Sequence, residues 1–114
     1  MRTIRGTDQY RRDFKRQTKG RSKAYVRLLD ADLATVLQVL VVDGVLEARY
    51  NDHPLTGWKD VQDCHIRNDL VLLYRKQDQD SLELVRLGSH TELGLASPFQ
   101  PLLTSISIPE TGQP

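Results

Sequence analysis

The sequence is poor in sulfur and aromatic side chains: 114 residues contain one cysteine, one methionine, one tryptophan and two phenylalanines. A single thiol, Cys64, excludes an internal disulfide and any Cys-x-x-Cys metal or redox motif. It fits a reducing, cytoplasmic setting. No apolar run approaches the ~20 residues that cross a bilayer. The opening Met1-Arg2-Thr3-Ile4-Arg5 has no apolar stretch behind it, so no signal peptide is expected. Internal repeats are absent, and the length suits one small domain.

Net charge is also nearly absent, at +1, but this average conceals a split. Residues 1–27 carry ten basic side chains against Asp8 and Asp13, or +8, which leaves −7 for the remainder. Charge segregated in this way commonly coats a solvated helix face, and it also suits contact with a polyanion such as RNA. Arg11, Arg12, Lys15, Arg16 and Lys19 are the candidate phosphate contacts, with Arg86 a further one.

The apolar pattern predicts an α+β fold. A short edge strand over residues 2–7 precedes a helix capped by Thr7 or Asp8 and stopped at Gly20. Tyr10 and Phe14, four residues apart, share its core-facing side. Val26, Leu29, Leu33, Val36, Leu37 and Leu40 recur at helical spacing and predict a second helix from Ser22 to Asp43. Trp58 to Ile66 reads as a weak strand and Leu70 to Arg75, apolar on both faces, as a central one. Arg67-Asn68 is the predicted hairpin turn between them. Leu82 to Leu87 is the last strand, broken by Gly88 and Ser89. The two helices are expected on one face of a small, mainly antiparallel twisted sheet.

All three histidines, His53, His65 and His90, fall at the ends of strand-like runs rather than within them. That placement gathers side chains at one rim of a sheet. Asp69 lies just across the predicted turn from His65. Any one of these residues taken alone is more simply an incidental polar residue. Together they offer proton carriers with an unperturbed pKa of about 6.5 and a carboxylate to orient them. Three histidines and a carboxylate are also a possible zinc set, but no His-x-x-x-His spacing supports it, and no metal or cofactor is expected.

The run Asp52-His53-Pro54-Leu55-Thr56-Gly57-Trp58, followed by Asp63-Cys64-His65-Ile66-Arg67-Asn68-Asp69 and by Arg86-Leu87-Gly88-Ser89-His90, resembles the YafQ branch of the RelE/ParE toxin superfamily. The resemblance covers residues 2–94 and leaves 95–114 as a C-terminal extension that packs an apolar flap through Phe99 and Leu102 or frays. It implies a toxin of a type II toxin–antitoxin pair: an endoribonuclease that cuts messenger RNA in the A site of the small ribosomal subunit. It further implies a catalytic set of His53, His65, Asp69 and His90, no metal, and a cognate antitoxin as partner. Leu70 and Gly94 stand where that branch often carries aromatic residues. Alternatives within the same fold are a gyrase poison without catalysis, and a regulator that only binds an antitoxin.

Overall fold

A computed structural model describes residues 1–95. The proposed extension beyond that point, including Phe99 and Leu102, lies outside the described residues. Strand β1 (Thr3–Gly6) leads into helix α1 (Asp8–Thr18). The Thr7 hydroxyl oxygen accepts from the Tyr10 N–H at 3.0 Å and caps the helix, and the same hydroxyl donates to the Val85 carbonyl. Asp8 in the first turn and Lys15 and Arg16 in the last complement the helix dipole. Gly20 takes φ +73°, a left-handed conformation that lets the chain reverse.

Helix α2 (Lys23–Leu40) begins at a Ser22 cap and buries Leu29, Leu33, Val36 and Leu40, spaced four, three and four apart. It stops three residues before the expected Asp43. Asp43 adopts φ +57°, which lets the Gly44 N–H reach back to the Val39 carbonyl at 2.9 Å. The Asp43 carboxylate then receives Arg2 and Lys76, tying this corner to β1 and the sheet.

After a short 3-10 turn at Ala48–Tyr50 come β2 (His53–Pro54), β3 (Val61–Arg67), β4 (Leu70–Arg75) and β5 (Ser81–Ser89). The five-stranded sheet has the order β1-β5-β4-β3-β2. Only the β1–β5 pair is parallel. β4 is central, as its two apolar faces require. Leu72 and Tyr74 join the helix-side core, while Val71 and Leu73 join Val61 and Leu93 in a smaller cluster on the opposite face. Tyr10 and Phe14 pack against the helix-side core.

Three local expectations need correction. β3 starts at Val61 rather than Trp58, because Gly57 (φ +87°) and Asp60 (φ +60°) turn the chain first. Trp58 is left 40% exposed. The hairpin turn is Asn68-Asp69, flanked by the pair Arg67 and Leu70. Asn68 takes the positive φ, +41°, that its short polar side chain tolerates. Finally, β5 runs through Gly88 and Ser89. A Cβ at Gly88 would lie 3.1 Å from Leu93 and 3.2 Å from Arg16 and Glu92, so glycine permits close covering of a continuous strand.

Candidate active site

Successive side chains on a strand alternate between faces. Cys64 enters the helix-side core while Val61 joins the opposite cluster, so Asp63 and His65 share the face turned away from the helices. β2 pairs with β3 in a register that sets His53 directly opposite Asp63. The two-residue β2 ends at Pro54, which has no N–H to pair and therefore suits an edge. The Leu70–Ser89 pair likewise brings Asp69 beside His90, one residue beyond each strand end.

The result is a cluster of imidazoles around one buried carboxylate. Asp63 is 1% exposed. Its Oδ2 lies 3.3 Å from His90 Nε2 and 3.8 Å from His53 Nε2. The His65 and His90 rings are 5.4 Å apart, centre to centre, and tilted by 58°. His90 Nδ1 is 3.4 Å from the exposed Asp69 carboxylate. Carboxylates only accept, so each of these contacts needs a ring N–H; the imidazolium form of His90 satisfies both and the neutral ring only one. The Asn51 carbonyl also only accepts, so His53 Nδ1, 2.6 Å away, donates to it, while Nε2 at 3.8 Å from Asp63 is beyond hydrogen-bond reach.

Two buried atoms in the cluster have no hydrogen-bond partner, Asp63 Oδ1 and His65 Nε2. An orphaned buried polar atom is costly and marks a place where strain is stored or a ligand is received. Donor atoms of Asp63, His65 and His90 all lie within 4.8 Å of one another. One oxygen and two imidazole nitrogens fit a borderline cation such as Zn²⁺ or Cu²⁺.

The surrounding residues hold this arrangement in place. The Tyr74 hydroxyl donates to Asp52 at 2.7 Å and anchors the loop that leads to His53. Burial, with the Asp52 hydrogen bond and charge behind it, pushes the Tyr74 hydroxyl pKa well up, so it remains a donor. Burial also pushes up the Cys64 thiol, reinforced by the charges of Asp52 and Asp63, which leaves it inert as a nucleophile. The chemistry of the cluster therefore belongs to imidazoles and carboxylates.

The expected site residues fall into two groups. His53, His65, Asp69 and His90 come together. The basic residues lie elsewhere. Arg86 gives its Nε and Nη2 to Asp13, leaving Nη1 for any further contact. Arg11 and Arg12 pair locally with Asp8 and Gln9 on α1, and Arg16 with Asp13 and Glu92. Lys15 is exposed on the same helix and Lys19 at its C-cap. Sequence reasoning missed Asp63, the centre of the cluster. Its signal was the Asp-x-His alternation, which on any strand puts both side chains on one face.

Comparison with known proteins identifies relatives of this chain. Residues 2–95 match the family described as the bacterial toxin of type II toxin–antitoxin systems, YafQ. The mRNA interferase toxin YafQ of Escherichia coli K12 is 34% identical over 96 residues, covering 82% of this chain and 96% of that protein. A crystal structure of a metal-bound toxin from Helicobacter pylori superposes with a TM-score of 0.69 at 37% identity, covering 82% of this chain and 99% of the other. The toxin of the E. coli DinJ–YafQ complex superposes with a TM-score of 0.66 at 29% identity, over 82% and 98% of the two chains.

Proposed function

The chain belongs to the YafQ family of bacterial type II toxin–antitoxin toxins, and we propose that it is an endoribonuclease that cuts messenger RNA in the ribosomal A site with histidines as its proton carriers. The observation that carries this reading is the convergence of three imidazoles on the buried Asp63. In the proposed reaction an imidazole takes the 2′-OH proton and the 2′-oxygen attacks the adjacent phosphorus. A second imidazole gives its proton to the departing 5′-oxygen as the P–O5′ bond breaks. The products are a 2′,3′-cyclic phosphate and a 5′-OH.

His90, packed between Asp63 and Asp69, is the best-oriented carrier. His53, whose side chain is 39% exposed, and His65, with its unpartnered Nε2, supply the complementary transfer. Arg86, held by Asp13 through Nε and Nη2, keeps Nη1 for the phosphate contact in this reading. No metal is required, because the nitrogens that would bind one are those that must exchange protons. A cation held there would block the reaction.

The exposed cations of α1, Arg11, Arg12, Lys15, Arg16 and Lys19, suit docking on ribosomal RNA. A cognate antitoxin would restrain the toxin by covering that basic surface and the imidazole cluster. The E. coli relative solved with DinJ supports such a partner.

The test is a reconstituted translation reaction with one defined message. Primer extension should reveal new ends at codon boundaries only when ribosomes, message and toxin are all present. An intact message together with DNA damage in producing cells would identify a gyrase poison. An intact message without DNA damage would leave only antitoxin binding.

A further inference from the structure

β2 pairs only with Gln62 and Asp63 of β3. Among the described residues, no strand therefore lies beside the outer edge of β3 from His65 onward. A hollow of about 430 Å³ occupies this position, lined by Asp32, Arg49, Tyr50, His65, Ile66 and Arg67 together with Asn68. An open strand edge invites pairing with another chain, and charged residues are one means of directing what arrives there.

The hollow contains two guanidinium groups. Arg67 Nε meets Asp32 at 3.4 Å, and the Arg67 head lies 5.5 Å from the Tyr25 ring centre. Its Nη1 is buried without a partner. Arg49 lies 4.6 Å over the Tyr50 ring and uses Nε for Glu47 and Nη2 for the Tyr50 hydroxyl. The aromatic rings and carboxylates fix both forks in direction, and each retains donors. Their counter-charges are weakly held: the Glu47 side chain is 72% exposed and that of Asp32 is 40% exposed. Ion pairs at such positions contribute little and give way to a better acceptor.

We propose that this hollow is a phosphate subsite of the RNA strand, in which Arg49 and Arg67 hold a phosphate flanking the one that is cut. The inference rests on the nuclease reading given above. Paired guanidiniums match phosphate oxygens in fork geometry. His65 is the link, because it belongs both to this wall and to the imidazole cluster. A strand bound at the cluster therefore continues directly into the hollow. An acidic protein segment is the rival occupant, but it would gain nothing from that shared wall. Arg49 and Arg67 are thus positioning residues that set the strand's register over the histidines.

The experiment is ribosome-dependent cleavage of one defined message by the full chain carrying R49Q, R67Q or both. The double variant should raise KM about tenfold with kcat nearly unchanged, the pattern of lost uniform binding. The salt dependence of KM should flatten by about 0.7 in log–log slope for one lost phosphate contact. R67K should recover part of the affinity. A parent-like KM in the double variant overturns the proposal, as does a defect confined to antitoxin binding. If R67Q lowers the thermal midpoint through its lost Asp32 and Tyr25 contacts, R49Q alone decides the matter by the same criteria. Failure of the unsubstituted chain to cut any message would remove the nuclease reading and this inference together. Cutting that is indifferent to both arginines would remove the subsite alone.

Discussion

His90→Gln lowers the single-turnover cleavage rate by about 10²–10⁴-fold, the range typical of one lost proton carrier. Glutamine fills similar space and can still hydrogen-bond, but its amide does not exchange protons near neutral pH. His90 is 6% exposed, with Asp63 at one ring nitrogen and Asp69 at the other. Its removal should therefore leave substrate docking intact: kcat falls and KM hardly moves. The same variant should bind ribosomes and the cognate antitoxin like the parent. Rapid-quench kinetics on programmed ribosomes, with the thermal midpoint measured in parallel, checks this expectation. A His90→Gln protein with full cleavage would exclude this ring from the proton transfers.

Asp13→Ala is expected to be the most damaging single change to the fold. Asp13 is 0% exposed. It accepts from Arg86 Nε at 2.7 Å and Nη2 at 3.2 Å, from Arg16 Nη1 at 3.1 Å, and from the Leu87 N–H at 3.0 Å. Alanine strands a half-buried guanidinium and a buried backbone donor between α1 and β5. Breaking a buried pair from one side costs about 3–5 kcal/mol. At about 4–8 °C per kcal/mol for a domain of this size, the midpoint should fall by more than about 12 °C in a thermal melt. A loss of under about 1 kcal/mol would show that the pair is dispensable.

Acid should act on the same pair. Burial alone would raise the Asp13 pKa, but the Arg86 hydrogen bond, the Leu87 N–H and the charges of Arg86 and Arg16 together hold it below the usual carboxylate range. A depressed folded-state pKa contributes stability that is full above the unfolded value of about 3.9. That contribution is lost as pH falls through the lower folded value. Parent stability should therefore decline on acidification below about pH 4, and Asp13→Ala should show a shallower decline over that window.

The contrast between these two residues shows what the linear sequence carried. Local pattern was enough for α2, whose Leu29, Leu33, Val36 and Leu40 mark one face, and for β4, whose alternation fails because both faces are covered. It was enough to suspect the histidines, since placement at strand ends is itself a topological statement. Tertiary pairing was not legible. Asp13 counted only as a negative charge in a basic stretch, because its partner Arg86 is 73 residues away. For the same reason nothing in the sequence tied Arg86 to Asp13. Asp63 escaped notice because a strand carboxylate looks ordinary until β2 and β5 bring His53 and His90 to it. The Asn68-Asp69 turn was misplaced by one residue because either Asn68 flank satisfies the composition. The bulge between His65 and Arg67 was likewise invisible.

The most direct test of the imidazole mechanism is the chemistry of the RNA ends left by cleavage on the ribosome in the presence of magnesium-saturated EDTA, which strips zinc and copper but leaves the Mg²⁺ that ribosomes need. The account predicts an undiminished rate, a 2′,3′-cyclic phosphate on the upstream fragment and a 5′-OH on the downstream one. A 5′-phosphate paired with a 3′-OH, or a rate that collapses under the chelator and returns with added Zn²⁺, would contradict it.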